Sequence, residues 1–124
     1  MKRTPLRRSG WIRRKPSRRV IRKTDADRAF TAWIHTQPCV GLRLRGHRCI
    51  GRIEQSHERN MTGLGLKASD LRSVPMCGSL HRNWEGHTGP FAGWSKERRR
   101  VWFAERIIEQ HARYAVDTGT EVAA

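Results

Sequence analysis

Apolar positions recur with helical spacing towards both ends of the sequence and break into short runs between. From Thr24 the chain carries Ala26, Phe30, Trp33 and Ile34, which fall on one helical face. Thr24 can cap that helix, Asp25 and Asp27 put negative charge in its first turn, and Pro38 bars its continuation. Ser95 offers a second cap with Glu97 in the turn behind it. Val101, Trp102, Ala104, Ile107, Ile108 and Ala112 then form a stripe reaching about Tyr114. This predicts the longest helix, with Gly119 as its stop and residues 117–124 as a frayed tail.

The middle of the chain predicts shorter elements. Cys39-Val40-Gly41-Leu42 and Cys49-Ile50-Gly51-Arg52-Ile53 suggest two strands about a turn at Gly46. Residues 58–73 hold Asn60, Gly63 and Gly65 with no apolar period, which predicts an ordered loop. Val74-Pro75-Met76-Cys77 leads into a helix of one or two turns, closed by the breakers Gly86, Gly89, Pro90 and Gly93. Trp33, Trp84, Trp94 and Trp102 are assigned to the core.

Charge changes the picture most at the N-terminus. The chain of 124 residues has 26 Lys and Arg against 11 Asp and Glu, a formal charge of +15. Residues 1–23 carry eleven of those bases and no acid, so self-repulsion predicts a disordered, extended basic arm ahead of one domain at 24–116. Such an excess fits a polyanion, because each phosphate neutralised releases counterions. Arg7, Arg8, Arg13, Arg14, Lys15, Arg18 and Arg19 of the arm are assigned to nucleic-acid contact, together with Arg59, Lys67 and Arg98. No stretch approaches the roughly 20 apolar residues of a spanning helix, and the start lacks the apolar core of a secretory signal. The expectation is a cytoplasmic protein without a membrane partner.

Three cysteines, an odd number, argue against a disulfide framework and leave metal ligation or plain burial. Cys39, Cys49 and Cys77 accompany six histidines, among which His57, His81 and His87 stand close in sequence. Thiolates with imidazole suit zinc, whereas imidazole with oxygen ligands and an open position suits a hydrolytic ion. Gly63-Leu64-Gly65-Leu66-Lys67 lacks the full phosphate-loop pattern and does not predict nucleotide binding; Lys67 and Asp70 are read as pinning that loop.

The order of these groups carries a resemblance. Ile53-Glu54-Gln55-Ser56-His57-Glu58-Arg59, then Gly63 to Asp70, then Val74-Pro75-Met76-Cys77 and His81, resembles small phage and prophage proteins of the HNH family, over roughly residues 38 to 95. The resemblance implies an α+β fold, a small ββα-metal (His-Me finger) core with flanking N- and C-terminal helices. It implies a metal-dependent endonuclease or nickase that cuts DNA with low sequence specificity during phage or prophage recombination or processing, in a bacterial or phage-infected cell. His57 would be the general base and His81 a ligand of the hydrolytic magnesium, manganese or zinc ion, with Glu85 or His87 as the second ligand. Asn60 and Asn83 are weaker candidates beside the phosphate.

Two departures accompany the resemblance. Ser56 stands where an ion-contacting Asp or His often precedes the base, and Leu80 where a zinc ligand is usual. The structural zinc of Cys39, Cys49 and Cys77 would then recruit His47 or His81, or else the thiols are simply buried together. The alternative function is a zinc-stabilised nucleic-acid-binding module on the same scaffold without catalysis. The partners implied are DNA, with RNA or branched DNA as variants, and a recombinase.

Overall fold

The computed structural model describes residues 23–58 and 69–122. Among these the chain is α+β, with three helices and one two-stranded antiparallel sheet. Helix α1 spans Asp25–Ile34 and opens with a reciprocal capping box, in which Thr24 Oγ1 accepts from Asp27 N and Asp27 Oδ2 accepts from Thr24 N. Strand β1 (Ile53–His57) pairs with β2 (Ser73–Cys77), Ile53 opposite Cys77 and His57 opposite Ser73. Cys77 caps helix α2 (Gly78–Gly86), and Ser95 caps α3 (Lys96–Thr118). Beyond β1 the two strands stay tied, since Glu58 N donates to Arg72 O at 2.9 Å and their side chains form an ion pair.

The expected strands at 39–42 and 49–53 are not what forms. Val40–Arg43 is a 3-10 turn, the chain runs irregularly to Arg52, and the hairpin is built from Ile53–His57 and Ser73–Cys77. Sulfur has taken the place of a ladder here, because Cys39 Sγ accepts from Gly41 N at 3.4 Å and from Cys77 N at 3.3 Å. Gly46 and Gly51 turn the segment at φ 76° and 95°, a region that a strand does not use.

Two hydrophobic clusters sit along α3. The larger joins Val74 and Met76 of β2, Leu80 and Trp84 of α2, Phe91, and Trp102, Phe103 and Ile107 of α3. The Trp84 ring lies 5.4 Å from that of Trp102 and 5.3 Å from that of Phe103, which fixes α2 against α3. The smaller joins Phe30 and Ile34 of α1 to Tyr114, with Trp33 packed against it. Trp33 Nε1 donates to Asp117 at 3.1 Å, so the helix continues through Thr118 where a frayed tail from 117 was expected, and Gly119 ends it at φ 70°. No described helix is long and apolar enough to cross a membrane.

The arm residues Arg7, Arg8, Arg13, Arg14, Lys15, Arg18 and Arg19 lie outside the described residues, as do Arg59, Asn60, Lys67 and the glycines of the 58–73 loop.

Candidate metal centre and histidine pairs

Three segments meet at the junction of β2 and α2. Cys39 follows the stop of α1, His47 and Cys49 flank Arg48 after the turn at Gly46, and Cys77 closes β2. His47 Nε2 lies 3.8 Å from Cys39 Sγ, 3.3 Å from Cys49 Sγ and 3.5 Å from Cys77 Sγ. All four ligand atoms fall within 4.8 Å of one another. Bonds of about 2.3 Å to sulfur and 2.0–2.1 Å to nitrogen set tetrahedral ligands roughly 3.5–3.8 Å apart, so the set fits and could hold a metal ion such as zinc.

The surrounding backbone prepares the cluster. Ser79 ties the 39–52 segment to the start of α2, donating N–H to Ile50 O at 3.0 Å and Oγ–H to Arg48 O at 3.1 Å. Burial pushes the Cys39 thiol up to about 12, and burial also raises Cys49. Burial acts the same way on Cys77, but hydrogen bonds from Ser79 and from the backbone N–H of Leu80 outweigh it and bring that thiol down to about 6. Holding all three as thiolates therefore calls for a cation.

Between the two candidates for the fourth position, the structure brings His47 to the thiols and places His81 elsewhere. Leu80, where the resemblance would have placed a ligand, is fully buried instead, and it lies against Gly41, where a Cβ would come within 2.6 Å of it. The sequence signal for His47 was its position two residues before Cys49.

His57 ends β1 and donates from Nε2 to Asp70 Oδ1 at 2.7 Å. Asp70 is buried and also meets Lys23 Nζ at 3.2 Å. Burial pushes its carboxyl up, but the hydrogen bonds from His57 and Lys23 prevail and hold it below the ordinary range. Its backbone is fixed as well, since Asp70 O accepts from Ser73 Oγ at 2.6 Å and from Gln55 Nε2 at 3.2 Å. Asp70, read from the sequence as a loop pin, thus also orients His57. Nothing in the sequence marked the pairing, which joins residues thirteen apart.

His81 lies on α2 beside β1. Its Nδ1 donates to Glu54 Oε2 at 2.8 Å, and its Nε2 stands 3.5 Å from Glu85 Oε1. Strand alternation puts Glu54 and Ser56 on the face towards α2, while Gln55, bonded to Thr31 of α1, and His57 point to the other. Ser56 is 1% exposed and its hydroxyl has no hydrogen-bond partner among the described residues. His87 caps α2 in the left-handed region, at φ 54°, and belongs to no cluster of three or more ligating groups among the described residues. Asn83 accepts from Thr88 Oγ1 at 3.1 Å, a bond that shapes the same cap. Arg98 lies 4.0 Å over the Trp94 ring.

Comparison of the chain with protein-family models, with curated proteins and with solved structures finds no match in any of the three.

Proposed function

We propose that this chain is a metal-dependent endonuclease or nickase that hydrolyses DNA phosphodiesters with low sequence specificity, on a ββα core stabilised by zinc at Cys39, His47, Cys49 and Cys77. One observation carries it: His47 completes the thiolate cluster, which leaves His81 for a second ion. His81 Nε2 and Glu85 Oε1 are separated by 3.5 Å, close to the roughly 3.0–3.4 Å between neighbouring ligands of one ion. Glu54 accepts the Nδ1 hydrogen of His81, which fixes the ring and leaves the Nε2 lone pair facing Glu85.

A divalent ion held there supplies Lewis-acid stabilisation of the phosphate and its leaving oxygen. The protein's own work is done by His57. Its Nε2 hydrogen is given to Asp70, so Nδ1 carries the lone pair that takes a proton from the attacking water. Adjacent strand residues point to opposite faces, so a base at 57 and an ion on the Ser56 side flank the end of β1, where a phosphodiester would have to lie.

The second reading, a zinc-stabilised nucleic-acid-binding module without catalysis, is favoured by Ser56, whose sealed hydroxyl offers no ion contact. Cleavage of supercoiled, linear and branched DNA with magnesium or manganese separates the two, run with and without a recombinase filament on the DNA. The endonuclease reading expects cutting by wild type and its loss in His57→Ala and His81→Ala, with zinc content unchanged. Absence of cutting under every condition leaves the binding module; undiminished cutting by His57→Ala removes the base assignment.

A further inference from the structure

The segment that supplies three of the four cluster ligands has a charge pattern unlike the rest of the fold. Residues 39–52 hold Arg43, Arg45, Arg48 and Arg52, and no acid occurs between Asp27 and Glu54. All four arginines are exposed. The ion pairs among the described residues involve Lys23, Arg28, Arg72, Arg106 and histidines, and none involves these four. Elsewhere some bases are engaged locally, Arg72 by Glu58, Arg106 by Glu105 and Glu109, and Arg98 by the Trp94 ring. Arg82, Lys96, Arg100 and Arg113 are likewise outside these ion pairs but are interspersed with acids along α2 and α3.

We infer that residues 39–52 form a metal-ordered phosphodiester-binding loop for nucleic acid, with Arg43, Arg45, Arg48 and Arg52 as its backbone contacts. The loop is closed at Cys39 and Cys49 by one cluster, and Arg48 sits between two ligands, so the arginines spring from a fixed frame. Ser79 adds bonds to the backbone of Arg48 and Ile50. Pre-organisation of this kind reduces the ordering cost of binding. Three thiolates with a dication and a neutral imidazole carry a formal charge of minus one, so the four arginines leave the loop strongly positive.

The choice of base points to phosphodiester rather than to a membrane. The chain has no Lys from 24 to 66, and every base of the loop is Arg, whose planar fork grips phosphate oxygens two at a time. An anionic lipid surface draws Lys and Arg alike, and the exposed Leu42 and Ile50 on the same loop make it the alternative outcome.

The inference rests on the nucleic-acid reading above but not on catalysis, so it is tested without magnesium or manganese. Binding of the zinc-loaded full chain to a labelled duplex of about 20 base pairs is followed by anisotropy across a salt series. Replacing Arg43, Arg45, Arg48 and Arg52 by Gln is expected to weaken binding and to lower the slope of log affinity against log salt by about 3 to 4. An unchanged slope in a variant with full zinc content overturns the inference. If the variant fails to hold zinc, amide shifts of the wild type on adding the duplex decide: shifts centred on 40–52 support the loop, and shifts confined to residues 1–23 overturn it. Binding of the wild type to phosphatidylserine vesicles but not to the duplex overturns it as well. A chain that fails to cut DNA yet shows the slope change loses the endonuclease reading and keeps this one.

Discussion

The Cys39, His47, Cys49 and Cys77 cluster and the His81, Glu54 and Glu85 group stand at opposite ends of a scale of commitment. In the first, two of the thiols are buried, the sulfurs accept backbone N–H groups, and the ligands come from segments as far apart as residues 39 and 77. In the second, the carboxylates are about half exposed and the contacts are side chain to side chain. A site whose ligands double as helix caps is bound up with folding, whereas one resting on contacts between side chains with half-exposed carboxylates is free to exchange its ion. On the reading proposed above, the difference separates a structural centre from a working one.

The comparison is broken most directly by removing a ligand from each. Cys77→Ala is expected to abolish stoichiometric zinc and to cost about 4 kcal/mol or more in unfolding free energy, because the sulfur also caps α2. Elemental analysis and denaturant unfolding check it, and retained zinc with native stability would erase the distinction. His81→Ala should leave both quantities nearly unchanged while reducing cleavage by about 100-fold or more. His57→Ala is expected to lower cleavage by about 100- to 10,000-fold with the fold intact.

Glu54→Gln sharpens the second site at smaller cost. If Glu54 only positions His81, affinity for manganese should fall about 10- to 100-fold while zinc at the thiolate cluster is untouched, measured by titration calorimetry on the zinc-loaded chain. The smallest effect is in pH. The carboxyl of Asp70 is held below its ordinary value, so its contribution is present above about pH 3.9 and is lost as pH falls through its folded value. Wild type should therefore exceed Asp70→Asn in stability at neutral pH and converge with it in acid. Constant separation down to low pH would show that Asp70 acts through shape alone.

The parts of the fold legible in the sequence were those set by local chemistry. Thr24 with Asp27, Ser95 with Glu97, and Gly119 each mark a helix end through groups within four residues, and all three stand where the sequence puts them. The strands were less legible. Cys39-Val40-Gly41-Leu42 has the composition of a strand, but its hydrogen-bonding groups answer to sulfur and to a turn, which composition does not reveal. Likewise His47 and His81 were equal candidates on sequence alone, because which imidazole reaches the thiols depends on how α2 docks against the loop.

What the sequence alone determined is the inventory: three helical segments, a dense positive charge, and three thiols with nearby imidazoles. What only the tertiary structure decided is partnership. It drew His47 to the cysteines, set His81 between Glu54 and Glu85, and turned His57 onto the buried carboxylate of Asp70. Caps and periodicities are read within a few residues, whereas these pairings join groups separated by loops. They depend on the docking of α1, α2 and α3 around the hairpin, which no short window of sequence contains.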